Sequence, residues 1–176
     1  MLLVATVCVV VGYLVVRRRP ILWALVALST VPVVALTLVP TLGRSFVFCV
    51  VQFDVPSLRT VEPLANLALL FPLLFFATLA TRRPLLMLVA GVVLSAAIET
   101  FQGLVPALGR ACDTNDWAMN SIGVAVAVLL AGATIALTNR RLSTPVDKSV
   151  DDSNARSQQG LSTGVDKVGD ESNERS

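Results

Sequence analysis

Long apolar runs alternate along this chain with short clusters of Arg and Pro, and most of the runs have membrane-crossing length. Met1 to Val16 carries no charge before Arg17-Arg18-Arg19, and Pro20 to Val39 follows directly. Val61 to Thr81 is closed by Arg82-Arg83, Pro84 opens a run to about Gln102, and a last run from about Asp116 to Thr138 ends on Arg140-Arg141. A helical span needs about 20 apolar residues, so the pattern predicts five transmembrane helices. The first is slightly short, and its flanking Arg side chains can snorkel to the interface. Pro20, Pro63 and Pro84 suit a first helical turn. Pro32 and Pro72 fall inside runs and predict kinks, which membrane helices tolerate.

The Arg clusters predict orientation. They follow the first, third and fifth spans, so strict alternation puts all of them on the cytoplasmic side. The N-terminus is then outside, loops 40–60 and 103–115 face outward, and the C-terminal tail is inside. A cleaved leader is the alternative for the first run, but its charges would come first and not last. Residues 44–60, RSFVFCVVQFDVPSLRT, are too short in their apolar part for a span and read as an interfacial or re-entrant segment. A lone extended strand in lipid would leave its backbone unsatisfied.

The tail changes character. Residues 142–176 are polar and rich in Ser, Asp and Asn, a composition expected to stay disordered. LSTPVDKSVDDSNARS (142–157) and LSTGVDKVGDESNERS (161–176) match at eleven of sixteen positions, so the tail is either a duplicated spacer or a duplicated docking motif for a protein partner. The domain reading is therefore residues 1–19 as an additional N-terminal helix and basic loop, 20–141 as the transmembrane domain, and 142–176 as the tail.

Composition excludes several classes. Hydrophobic residues make up 55% of the 176 and charged residues only 15%, against about 25% charged in average domains. Eleven of the 26 charges lie in the tail, which is net −3, leaving +5 for residues 1–141; the overall +2 is no argument for nucleic acid. Absence of His and of paired Cys spacing removes His-dependent hydrolases and gives no metal site. No cofactor is called for. Cys8 falls in the first span, whereas Cys49 and Cys112 both fall in outward loops, where a disulfide is chemically permitted and two free thiols are the alternative.

The polar residues concentrate in AIETFQGLVPALGRACDTNDWAMNSIG, residues 97–123, which holds three of the five acids found before residue 142. Glu99 and Gln102 share one helical face. Asp113, Asp116, Asn120 and Gly123 follow at steps of three, four and three, again one face, and Arg110 lies in the link between. An acid near mid-bilayer is costly, so such residues are functional candidates by default. Structural readings compete at each. Glu99 pairs with Arg110 and ties two helix ends together; Asp113 or Asp116 caps a helix N-terminus. Asn120 hydrogen-bonds to Gln102 or Asn66, and Gly123 with Ala127 forms a small-residue packing face. Glu62 and Asn66 lie one turn apart near the start of the third span.

The spacing Glu99-x2-Gln102-x7-Arg110-x2-Asp113-x2-Asp116-x3-Asn120-x2-Gly123 resembles the signature of the VanZ-like membrane protein family, named for a teicoplanin-resistance protein. Leu36-Thr37-Leu38-x-Pro40 and Asn66 followed by Leu70-Phe71-Pro72 resemble two further elements of that family. The resemblance covers roughly residues 30 to 130. It implies a multi-pass protein of the bacterial cell membrane whose site comprises these polar residues.

Three functions follow in order. The first is a non-enzymatic envelope protein, in membrane lipid, whose outer polar residues Glu99, Gln102, Arg110, Asp113, Asp116, Asn120 and Asn66 bind a cell-wall precursor, lipid headgroup, glycopeptide antibiotic or partner protein. Arg suits planar anions. The second is a membrane enzyme on a lipid-linked cell-wall substrate, with Glu99 as general base and Asp113 or Asp116 orienting substrate or a divalent cation. The third, a small transporter or channel subunit, fits less well because the polar residues gather at one surface and not at the midplane.

Overall fold

The apolar runs fold as helices, because a backbone in an apolar medium must satisfy its own N–H and C=O groups. The computed structural model describes residues 1–40, 49–51 and 61–140. Within them lie helices α1 (Leu2–Val15), α2 (Arg19–Leu38), α3 (Val61–Leu69), α4 (Phe71–Thr81), α5 (Pro84–Leu104) and α6 (Thr114–Arg140). A 3-10 turn spans Pro106–Leu108. Two short strands, β1 (Cys49–Val50) and β2 (Cys112–Asp113), pair in parallel. Met1–Thr138 forms one compact unit. The repeated tail and most of the 44–60 segment lie outside the described residues.

Four stretches are long and apolar enough to cross a membrane: Arg19–Leu38, Pro63–Thr81, Pro84–Leu104 and Thr114–Arg140. Helix α1, at 14 residues, is apolar but shorter. The chain is thus an all-α membrane protein with four to five spanning helices. Its outer faces agree: Leu28 and Val31 on α2, Leu85 and Val93 on α5, and Leu129 and Leu137 on α6 are all exposed. So much contiguous apolar surface is unusual on a soluble monomer and ordinary against lipid.

The third predicted span is two helices. Pro72 lacks an N–H and its ring excludes a carbonyl of the preceding turn, so the helix breaks at Leu70 and restarts with Pro72 in the first turn of α4. Leu74 N–H still donates to Leu70 O at 3.0 Å, so the restart wastes little. Helix α4 is the centre of the bundle: eight of its eleven residues are buried, and α1, α2, α3 and α5 all pack on it. Being apolar all round, it can be enclosed on all sides at no polar cost. Phe75 stacks near-parallel with Phe71 and meets Phe76 edge-on, at 6.0 and 5.4 Å between centroids.

Hydroxyl side chains along the spans turn back on their own helices. Thr30 donates to Val26 O, Thr78 to Leu74 O, Thr100 to Ala96 O and Thr134 to Leu130 O. This satisfies a polar group in lipid without a partner helix. The connections are tight. Arg82 takes the left-handed conformation (φ 56°) as its N–H donates to Thr78 O, and Pro84 then starts α5 at once.

Small residues set how closely the helices approach. Gly91 and Gly123 are buried, and a Cβ on Gly91 would meet Val124 Cγ1 of α6 at 2.5 Å. A Cβ on Gly123 would run into the main-chain oxygen of Leu67 on α3, which cannot swing aside as a side chain can. Gly132, on the same helix, faces open space. Gly123→Ala should therefore cost about 1–3 kcal/mol by overpacking. Gly132→Ala should be neutral or stabilising by up to about 1 kcal/mol from helix propensity. Thermal unfolding of the two variants in detergent checks the contrast; equal midpoints would show that α3 and α6 are not in backbone contact.

Candidate functional site

The polar residues of α5 and α6 face each other where the two helices meet their connecting link. On α5, buried positions recur as Gly91, Ser95, Glu99, Gln102 and Gly103, one stripe at helical spacing in an otherwise lipid-facing helix. The stripe is tied down polar group by polar group. Ser95 Oγ donates to Trp117 O of α6 at 3.4 Å. Gln102 Nε2 donates to Thr37 O at 3.3 Å. That carbonyl belongs to the last turn of α2, where no intrahelical N–H remains to take it.

Glu99 is 7% exposed and is the pivot. Its Oε2 accepts the main-chain N–H of Asp113 at 3.1 Å. Asp113 in turn stands just before α6, and its Oδ1 accepts the N–H of Asn115 at 2.8 Å, which makes it the helix N-cap. In a capping box the third helical residue returns a carboxylate to the N-cap N–H; here Glu99 on the neighbouring helix does so. The capping reading thus falls to Asp113, while Asp116 sits in the first turn, where the helix dipole favours an acid. Glu99 Oε2 is taken up by the Asp113 main chain, and the Arg110 Nε has no hydrogen-bond partner among the described residues.

Cys49 and Cys112 are joined by a disulfide across the paired strands. Cys49–Val50 is therefore both hydrogen-bonded and covalently fastened beside Asp113. Cys8 is a free, buried thiol.

Behind these ties lies a cavity of about 400 Å³, within the size range of small-molecule sites. All seven candidate residues line it: Asn66 from α3, Glu99 and Gln102 from α5, Arg110 from the link, Asp113 from β2, and Asp116 and Asn120 from α6. Leu36, Thr37, Ala65, Leu69, Ile98 and Ala111 complete the wall. Sequence reasoning gave no site role to Thr37 or Ser95; the signals available were the Leu36-Thr37-Leu38 element and the four-residue step from Ser95 to Glu99. Asn120 makes neither of the hydrogen bonds expected of it. It is 1% exposed, and its Oδ1 is buried with no partner among the described residues. Such atoms are rare in folded proteins and call for an explanation. No three Asp, Glu, Cys or His side chains among the described residues gather closely enough to hold a metal ion. The side chain of Glu62 lies outside the described residues.

A membrane bundle with a polar cavity closed by one helix pair is the class that fold and site define. Within it, the chain belongs to the VanZ/LLP1 family, whose model matches residues 3–137. The matched stretch takes in α1, which the motif resemblance leaves outside. No curated protein matches the chain. No solved structure matches it.

The disulfide closes 63 residues of chain, so its loss should cost roughly 2–4 kcal/mol. Peptide mapping without reductant should recover Cys49 and Cys112 as one linked peptide, and Cys49→Ser should unfold at lower temperature in detergent. Recovery of two alkylated thiols from the native protein would contradict the link.

Proposed function

We propose that this protein is a non-enzymatic membrane component of the bacterial cell envelope whose cavity, at the outer surface of the plasma membrane, binds an envelope ligand. Candidate ligands are a cell-wall precursor, a lipid headgroup or a glycopeptide, and binding of the last would contribute to teicoplanin-type resistance. The observation that carries the reading is a pair of buried polar atoms on the cavity wall, Arg110 Nε and Asn120 Oδ1, that have no protein partner among the described residues. A donor and an acceptor without protein partners among the described residues, on two residues that line one cavity, fit a ligand that carries both. The disulfide supports the outward placement, since such bonds persist in oxidising compartments and not in the cytosol. The Arg clusters support the same orientation.

Glu99 has a structural duty beside any ligand contact: one of its oxygens holds the N-cap of α6. Arg110→Lys, which loses the planar fork, should weaken binding of teicoplanin or of a lipid-linked muropeptide to purified protein by about 1.5–3 kcal/mol. Asp113→Asn keeps the cap and should be tolerated. Equal tolerance of both changes would sink the binding reading. Glu99→Gln abolishing activity at undiminished abundance would instead transfer the function to catalysis.

Placement has its own check. Treated with mild reductant and a membrane-impermeant maleimide, intact cells should label at Cys112. Labelling only after lysis would move the cavity to the cytoplasmic side.

A further inference from the structure

The cavity wall is unevenly furnished. Three acidic residues (Glu99, Asp113 and Asp116) and Asn120 line it, against one basic residue among the described residues, Arg110. The Asn120 oxygen is the decisive atom, because burial without a partner is costly and nothing else in the described protein reaches it. Glu99 has only Oε2 engaged, by Asp113 N–H, which leaves its second oxygen to accept a bond within the same cavity. Asn120 Oδ1 thus lacks a donor and Arg110 Nε an acceptor among the described residues, beside a Glu99 carboxylate with one oxygen engaged.

Resting on the ligand-site reading above, we propose that the group bound is a zwitterion: a primary ammonium against Asn120 Oδ1 and Glu99, joined through a short linker to a phosphate or carboxylate on Arg110. An ammonium offers three donors and no acceptor, which matches a wall dominated by acceptors. An ammonium alone would leave Arg110 unserved, and an anion alone would leave Asn120 and Glu99 unserved; the zwitterion answers both. A divalent cation fits less well, since the acids do not converge as a ligand set. The rest of the wall indicates the carrier. Leu36, Leu69 and Ile98 form an apolar side to the cavity, and Leu36 is 56% exposed on the lipid-facing surface of α2. A headgroup could enter there with its acyl chains still in lipid, so the favoured source is an aminoalcohol phospholipid.

Methylation of the amine isolates the claim, because it removes every N–H donor while keeping the phosphate and both charges. Native mass spectrometry of the purified full-length protein would compare dioleoylphosphatidylethanolamine with dioleoylphosphatidylcholine. The ethanolamine lipid should bind about tenfold more tightly, a difference of about 1.4 kcal/mol. Asn120→Leu, of similar shape but without the acceptor, should bring the ratio near one, whereas Asn120→Asp should preserve it. If Asn120→Leu fails to fold, the wild-type ratio and Asn120→Asp still decide. Competition by soluble phosphoethanolamine would show that the zwitterion alone suffices, and its absence would assign the ligand to the lipid; both support the proposal. Equal affinity for the two lipids in the wild type, or an unchanged ratio in Asn120→Leu, overturns it. Equal affinities that Arg110→Lys still lowers together would overturn the zwitterion and leave an anion-binding cavity. Indifference of all ligands to Arg110→Lys would remove the ligand site itself.

Discussion

The hydrogen bond from Asp113 N–H to Glu99 Oε2 holds the polar end of this protein together. It fastens the last turns of α5 to the start of α6 at the point where the chain must leave one helix and enter the next. Helix starts carry N–H groups with no intrahelical partner, and beside an apolar medium these cannot be left open. Asp113 covers one with its own side chain and hands its own N–H to Glu99. The parallel strand pair and the Cys49–Cys112 bond then fix β1 to the same residue pair. Removing the carboxylate of Glu99 would open this closure at its base.

The apolar part follows a different rule. Helices in lipid gain little from merely excluding water, so their association depends on close packing and on matching polar groups. Helix α4, with Phe71, Phe75 and Leu79 fully enclosed, supplies the packed centre. Gly91 lets α5 close on α6 and Gly123 lets α6 close on α3, to distances that a Cβ would prevent. Thr78, Thr100 and Thr134 satisfy their hydroxyls on their own helices, so they add no demand on the neighbours. Polar groups that need partners elsewhere are gathered at one end, among Ser95, Glu99, Gln102, Thr37 and Trp117.

That segregation leaves a polar cavity next to lipid, and it gives the family assignment chemical content. The residues in the family-like spacing are a closure and a lining at once. Asp113, Glu99 and Gln102 make bonds that build the site, whereas Asn120 and Arg110 line it and each keep a buried polar atom without a partner among the described residues. The first group explains how the cavity is held and the second what it can take.

The apolar runs by themselves determined the helices, because period and length are written directly in residue order and a lipid-embedded backbone has few alternatives to a helix. The breaks at proline followed for the same local reason: Pro72 cannot donate, so the run from Val61 to Thr81 became two helices. The polar residues that meet were legible as helical spacing, and all seven line one cavity. Tertiary structure alone decided their duties. Glu99 bonds to the Asp113 main chain, Gln102 reaches a carbonyl 65 residues away, and the Asn120 Oδ1 has no partner among the described residues. Each outcome depends on which atoms the packed helices bring within about 3 Å, a quantity that spacing along one helix does not contain.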